Sequence, residues 1–328
     1  MILSKWYSKS MLRSSHPQNI KIGIVIPVHN RKEITLQCLH SLSFIDRSGL
    51  DIHTIVINDG STDGTGAEIR LCFPEVYLIE GDGNLWYTGG TNIGIQSALL
   101  NNPDYILTIN DDSIFPENFL QCMVSCAEKN PGSIVGPLLL DWNQSNKVFA
   151  VAPRWNTWYG GWQHHRNLTI ESVPKEAWEV ELIVGNCVLY PVAAIKQHGL
   201  MKANLHYGDA EYTPRMRKAG WRLLIEPSAR ILCQPNTATP SMSKLPKRQI
   251  LQTYFVDQHS TRHLIMHLKT LWYSAPTHIT GLCAFIIFTI RLSLKVLLKK
   301  IELPYSPDPP LKLTQKIHYR KSNKRALR

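Results

Sequence analysis

Two adjacent carboxylates, Asp111 and Asp112, follow Asn110 at the end of the apolar run in ILTINDDSI, residues 106–114. A short apolar run bounded by polar residues reads as a buried parallel strand, and open α/β sheets place their ligands at the carboxyl ends of such strands. The two acids therefore stand where a ligand would. Side by side they repel, and burying them uncompensated is costly, so the pair calls for a positive partner. A divalent cation, Mg2+ or Mn2+, bound between carboxylates and the phosphates of a substrate meets that need with hard oxygen donors. Taken alone, an Asp-Asp pair is more often a solvated turn after a strand. The elements around it change those odds.

Residues 22–28 form an apolar, β-branched run closed by Pro27, His29 and Asn30, and residues 31–45 carry apolar side chains at helical spacing. A second strand over 54–58 ends in the turn cluster Asp59-Gly60-Ser61-Thr62-Asp63-Gly64, which leads into a helix. A third strand, 76–80, precedes GDGNLWYTGGTNIG and a helix to about residue 100; a fourth covers 104–111. This alternation predicts a parallel, doubly wound sheet. Three strands then deliver polar clusters to one edge: His29 and Asn30, Asp59 to Asp63, and Asp111 with Asp112. Asp59, just past a strand, suits a ribose or base contact; Asp63, directly before Gly64, suits a turn or helix cap equally well. Gly81, Gly83, Gly89 and Gly90 allow close backbone approach to a ligand. They do not spell GxGxxG after the first strand, which argues against a dinucleotide reductase.

As an ordered set, IVIPVHNR (24–31), VINDGSTDGT (56–65), NLWYTGGTNIGI (84–95) and the Asn110-Asp111-Asp112 element resemble the inverting family 2 glycosyltransferases, in particular the branch of rhamnosyl- and galactofuranosyl-transferase-like enzymes. The resemblance covers residues 22–234. It implies a GT-A fold: α/β, with a Rossmann-like, mostly parallel central sheet flanked by helices. It places Pro27, His29, Asn30 and Glu33 near the nucleotide and Asp59 on its base or ribose. Asn84, Gly89, Gly90 and Asn92 would line the donor pocket. Asn110 and Asp111 would lie on the ribose or diphosphate side, and Asp112 would be the metal ligand. Further on, Asp209, Glu211, Arg215 and Gly220 match the family's order of acid, second acid, base and helix-ending glycine, which implies that Asp209 is the general base. A positioned carboxylate can take the proton that an acceptor hydroxyl must lose as it attacks. Glu211 either orients the acceptor or pairs with Arg215 four residues on, as on an ordinary helix face; Arg215 and Arg217 either balance local acid or meet the diphosphate. One departure stands out: where many relatives carry a metal-binding His, this chain reads Cys233-Gln234, implying a weaker ligand or none.

Between 148 and 178 the pattern is irregular, with Trp155, Trp158, Tyr159, Trp162, His164 and His165 close together. These aromatics either stack on a sugar or anchor a loop to the core. Residues 182–190, LIVGNCVLY, read as a returning strand broken by Gly185 and Asn186.

The 328 residues carry a net charge of +11, and 44% are hydrophobic, enough for a sizeable core. From Arg291 to Arg328 the charge is +9, so the body is nearly neutral, which disfavours a nucleic-acid-coating surface. The seven cysteines lack paired CxxC spacing and read as thiols of a reducing compartment. Lys5, Lys9 and Arg13 precede no continuous apolar run, so no secretory signal is expected. Residues 279–290 are strongly apolar but too few to span a bilayer, and Arg291, Lys295 and Lys299 follow at four-residue spacing. An interfacial helix, apolar side down and basic side toward anionic headgroups, fits that pattern. The expected organisation is a basic extension over 1–20, a GT-A domain over 21–240, a membrane-associating helical segment over 241–310 and a basic tail over 311–328. The expected protein is cytoplasmic and peripheral at the inner face of the cytoplasmic membrane. It would take a nucleotide-sugar donor and a glycan or lipid-linked glycan acceptor in cell-surface polysaccharide synthesis; homo-oligomerisation stays open. A sugar-nucleotide-forming nucleotidyltransferase and a catalytically degenerate glycan- or nucleotide-sugar-binding protein are the alternatives.

Overall fold

A computed structural model describes residues 19–165, 167–205, 208–234, 246–257 and 263–298. The basic extension to residue 18, residues 235–245 at the expected boundary between the GT-A domain and the helical segment, and the tail beyond 298 lie outside the described residues. The first half follows the predicted alternation: β1 (Ile20–Val28), α1 (Lys32–Ser43), β2 (Leu50–Asp59), α2 (Thr65–Cys72), β3 (Tyr77–Gly81), α3 (Trp86–Leu99) and β4 (Tyr105–Ile109). The second half runs β5 (Ser113–Ile114), α4 (Phe119–Lys129), β6 (Ser133–Asp141), β7 (Gln144–Ala150), β8 (Arg154–Asn156), β9 (Gly161–Gln163), β10 (Trp178–Glu179), β11 (Cys187–Pro191), α5 (Val192–His198), α6 (Asp209–Lys218) and β12 (Arg222–Cys233). Last come α7 (Lys247–Leu251), a π-helical stretch Gln252–Val256, α8 (Leu264–Ser274) and α9 (His278–Leu298).

Ten strands form one sheet in the order β10-β12-β6-β11-β4-β1-β2-β3, with β5 on β12 and β7 on β6. Strands β1 to β4 are mutually parallel where they pair. The chain leaves β1 for β2 and β3 on one side, then returns to place β4 on the other. This reversal makes the crevice between the carboxyl ends of β1 and β4 a topological switch point, where open α/β sheets bind ligands.

Alternating side chains of the central strands feed two cores. Ile22, Ile24 and Ile26 of β1 pack with Cys38, Leu39 and Leu42 of α1 and with Phe119 and Met123 of α4. On the other face Val25, Ile55 and Ile57 meet Ile95 and Ala98 of α3, alongside Tyr212 and Met216 of α6. Helix α3 lies close to the sheet because of its glycines: a Cβ on Gly94 would stand 2.3 Å from Val25 Cγ1, and one on Gly90 3.1 Å from Pro27 Cβ.

The second half is mixed, in keeping with the mostly parallel sheet that the resemblance implies. Antiparallel β11 lies between β4 and β6. The predicted strand over 182–190 begins only at Cys187, because Gly185-Asn186 turns the chain and Asn110 N donates to Asn186 O at 2.9 Å. Part of the irregular stretch from 148 is β7, paired with β6. The helical segment expected over 241–310 is divided into α7, α8 and α9, and α9 outruns the apolar residues 279–290. No helix among the described residues is long and apolar enough to cross a membrane.

Candidate active site

The positive partner that the acid pair requires comes from the chain itself. Arg31, directly after β1, reaches across the switch point: its Nη1 lies 3.0 Å from Asp111 Oδ1 and its Nη2 3.1 Å from Asp112 Oδ2. Both acids are almost fully buried, at 3% and 5% exposure, and Thr35 Oγ1 donates to Asp111 Oδ2 at 2.9 Å. Burial pushes the Asp111 carboxyl up to about 6, against the opposing pull of Arg31 and Thr35, with Asp112 adding to the rise. Asp112 Oδ1 and Asn110 Oδ1 are buried without a hydrogen-bond partner. Such orphaned acceptors at the carboxyl end of a central strand suit a cation and a polar ligand respectively. Among the described residues no group of three or more His, Cys, Asp or Glu could hold a metal. The fit is therefore to one carboxylate oxygen that leaves the other positions to phosphate oxygens, a donor set that hard Mg2+ or Mn2+ accepts.

Strand β12 ends beside this pair: Cys233 faces Ser113 across the β5 ladder and Gln234 N donates to Asp112 O at 2.8 Å. Burial pushes the Cys233 thiol up to about 12, and its Sγ lies 3.5 Å from Ser113 Oγ. It is a buried thiol tied to a neighbouring hydroxyl.

The ends of β1 and β2 are stitched together. His29 Nδ1 donates to the Asp59 carbonyl, which leaves Nε2 to accept from Asn30 Nδ2 at 3.0 Å. Asn30 sits at φ 50°, its N donating to Ser61 Oγ and its Oδ1 accepting from Thr62 N at 2.7 Å. Asp63 accepts from Lys32 N and from Thr65 N, both at 3.0 Å, so it caps the starts of α1 and α2 together. Both carboxylate oxygens of Asp59 are engaged: Oδ1 accepts from Gly83 N at 2.8 Å, and Oδ2 from Leu85 N and Trp86 N at 3.0 Å. It holds the loop into α3, including Trp86 at φ 59°, a conformation that costs energy for a bulky residue. Any base or ribose contact of Asp59 has to use the lone pairs that these bonds leave.

The other donor-side residues fall into two groups. Asn84 is exposed on the same loop, and Glu33 projects into solvent with its side chain 79% exposed. Gly89 and Gly90 lie in the first turns of α3, where Gly90 packs on Pro27 rather than on open space. Asn92 is a two-point clamp, its Nδ2 donating to Met201 O at 2.9 Å and its Oδ1 accepting from Met201 N at 3.1 Å.

That clamp bears on Asp209. Met201 belongs to the segment before α6, and Thr88 Oγ1 of α3 accepts from Gly208 N at 2.7 Å. Helix α3 thus fixes the start of α6, whose first residue is the half-buried Asp209. Loss of hydration raises the Asp209 pKa above the ordinary carboxyl range, while amides of Ala210 and Gly185 pull it down. Gly185 is pressed against this carboxylate: a Cβ there would lie 2.3 Å from Asp209 Cβ and 2.5 Å from Oδ2. Gly185-Asn186, bonded to Asn110, links the Asp209 end to the Asp111–Asp112 end by contacts along the sheet edge. Gly185→Ala should displace the carboxylate by about an ångström and cost on the order of 10²-fold in kcat with the fold retained, checked by turnover alongside thermal melting.

Glu211 and Arg215 are the helix pair. Glu211 is fully buried, its Oε2 2.9 Å from Arg215 Nε and its Oε1 accepting from Lys202 N at 3.1 Å. Arg215 also donates to the carbonyls of His198 and Leu200, so the pair secures the 198–202 segment.

Arg31 ends the IVIPVHNR motif, and the signal for its role is the uncompensated acid pair itself. Thr88 carries no signal in sequence and Gly185 signals only a break in its strand, since their roles depend on contacts distant in sequence. Of the aromatic cluster, Trp155 and Trp162 pack edge to face and Trp162 Nε1 donates to Ser274 Oγ at 2.9 Å, so these anchor the β8–β9 hairpin. Trp158 instead is 83% exposed.

The sequence profile of "Glycosyl transferase family 2" matches residues 23–199. An N-acetylglucosaminyl-diphospho-decaprenol L-rhamnosyltransferase of Mycobacterium tuberculosis (strain CDC 1551 / Oshkosh) is 23% identical over 235 residues, covering 64% of this chain and 76% of its own. The chain spans only 16% and 18% of two longer curated glycosyltransferases that it matches, from Rickettsia bellii and Streptococcus pneumoniae. Among solved structures, GalNAc-T7 with UDP, GalNAc and Mn2+ superposes with a TM-score of 0.55 at 15% identity, over 85% of this chain and 58% of that one. TarS of S. aureus with UDP-GlcNAc gives 0.53 at 13% identity, over 84% and 73%. These superpositions show the shared GT-A fold. The profile covers more than half of the chain, and the protein belongs to glycosyltransferase family 2.

Proposed function

We propose that this protein transfers a sugar from a nucleotide-diphosphate donor to a hydroxyl of a glycan or lipid-linked glycan, with inversion at the anomeric carbon. The observation that carries this reading is the pairing of Asp112, with its unpartnered oxygen, and Asp209, with its raised pKa, along one sheet edge at the switch point. Asp209 accepts the proton of the acceptor hydroxyl as its oxygen bonds to the anomeric carbon and the bond to the diphosphate breaks. The desolvation that raises the Asp209 pKa makes it a stronger base, and Gly185 and the α6 amides hold its orientation. Asn110 Oδ1 supplies a free acceptor to a ribose hydroxyl. A divalent cation, Mg2+ or Mn2+, held by Asp112 and the diphosphate oxygens would stabilise the departing nucleoside diphosphate. The rhamnosyltransferase relative, whose name gives a lipid-diphosphate-linked sugar, supports a lipid-linked acceptor; the reading places the reaction in cell-surface polysaccharide synthesis at the cytoplasmic face of the membrane.

The test is calorimetric binding of nucleotide sugars with and without Mn2+, for the wild type and Asp112→Asn. The wild type should bind one donor more tightly with Mn2+, and the substitution should remove that Mn2+-dependent gain. Equal donor affinity in both proteins would contradict the assignment of Asp112. Arg31 competes for the same carboxylates. Arg31→Gln should therefore tighten donor-free Mn2+ binding by about tenfold or more, read by titration calorimetry.

A further inference from the structure

Helix α9 is turned the wrong way round for a helix in water. Ile279, Leu282, Ile286, Ile290 and Leu294 recur every three to four residues and stand 42–76% exposed. They line one side over about 22 Å of helix. No charged residue lies between His278 and Arg291. The opposite side is spent on the protein: Gly281 meets the Leu271 carbonyl of α8, Phe288 meets Gly160, and Ala284 and Leu292 are buried. Arg291, expected to face headgroups, instead donates to Tyr159 O at 2.8 Å and lies over the Tyr159 ring. The outward stripe is therefore a fixed apolar surface, and Trp158, next to Tyr159 in the turn that receives Arg291, stands exposed near it.

We infer that this stripe, with Trp158 at its flank, is the face that seats the protein on an anionic lipid bilayer. The inference deepens the membrane-surface reading above and rests on it. Charge selects the occupant. The chain from Arg291 onward carries +9, so two copies meeting through α9 would bring like charges together, whereas an anionic lipid surface complements them. An apolar stripe without internal charge, followed by basic residues, is the pattern of a helix that lies in the headgroup boundary. Seating there also has a structural consequence. Helix α8, between α9 and α6, receives Lys218 Nζ on Tyr273 O at 3.0 Å and sets the Tyr273 ring under Lys202. The lipid-bound face thus connects through α8 to the helix that begins with Asp209.

The full-length protein would be floated with vesicles of phosphatidylcholine alone and with vesicles of equal parts phosphatidylcholine and phosphatidylglycerol. It should float with the anionic vesicles. The double substitution Ile286→Glu with Ile290→Glu should weaken binding at least about tenfold, as should Leu282→Gln with Leu294→Gln, while both keep wild-type circular dichroism. Floating by these variants as well as the wild type would mean that the basic tail alone binds lipid and would overturn the inference. So would failure of the wild type to float, or a dimer by light scattering that the substitutions dissolve. Donor binding by calorimetry without vesicles separates the two readings: intact donor binding with no flotation sinks the docking face alone.

Discussion

Asp209→Asn should lower kcat by about 10²- to 10⁴-fold, the range a positioned general base supplies, while donor binding stays near normal. The asparagine is nearly isosteric and keeps the contacts with Gly185 and the first amides of α6, so the loss reports the proton acceptor rather than the fold. The pH profile adds a second signature. Asp209 must be ionised to accept a proton, and its pKa is raised by burial, so wild-type activity should fall on the acid side at a pH above the ordinary aspartate range. Stability should move the other way. A carboxyl whose folded pKa exceeds its unfolded value favours the native state while protonated and loses that contribution as pH rises through the folded pKa. At neutral pH the ionised Asp209 therefore costs stability, and Asp209→Asn should melt at or slightly above the wild-type temperature. An inactive variant that also melts far lower would point to a structural role instead.

The second large effect is on stability. Glu211→Ala leaves the Arg215 guanidinium without its carboxylate and removes the acceptor for Lys202 N, in a place where Glu211 is fully buried. Breaking a buried pair from one side costs about 3–5 kcal/mol, which for a domain of this size corresponds to a fall in Tm on the order of 10 °C. Glu211→Gln, which keeps the shape and part of the hydrogen bonding, should lose less. Circular dichroism melts of the two variants check this. If Glu211→Gln folds like the wild type yet loses turnover to the extent that Asp209→Asn does, Glu211 acts on the acceptor rather than on the fold.

The parallel half of the fold was legible because its strands are continuous β-branched runs closed by turn residues, each ending in polar groups at the same edge. The residues after β1, β2 and β4 could be placed at that edge from alternation alone. The mixed half was less so: the apolar run of β11 read as a strand, though not its antiparallel pairing, while β7 and β12 acquire their strand character from antiparallel or distant partners rather than from local pattern. Within the site the limit was similar. The acid pair announced a missing positive charge, but a cation and a neighbouring arginine satisfy the same electrostatics, and only the geometry shows Arg31 bridging both acids. Asn92 and Gly90 fit a ligand-lining motif on spacing, yet one clamps Met201 and the other packs on Pro27. Arg291 shared a basic helical face with Lys295 and Lys299 in sequence, while its contact with Tyr159 turns it toward the protein.

The central claim is that one sheet edge holds a sugar nucleotide at Asp112 and activates an acceptor at Asp209. Its most direct test is nucleoside diphosphate release from a panel of nucleotide sugars with Mg2+ or Mn2+, measured with and without a membrane lipid extract. Release from one donor, stimulated by the extract, is the predicted result and would identify the sugar. Equal or absent release from every donor in both conditions, despite tight donor binding, would contradict transfer and leave a protein that binds its donor without using it.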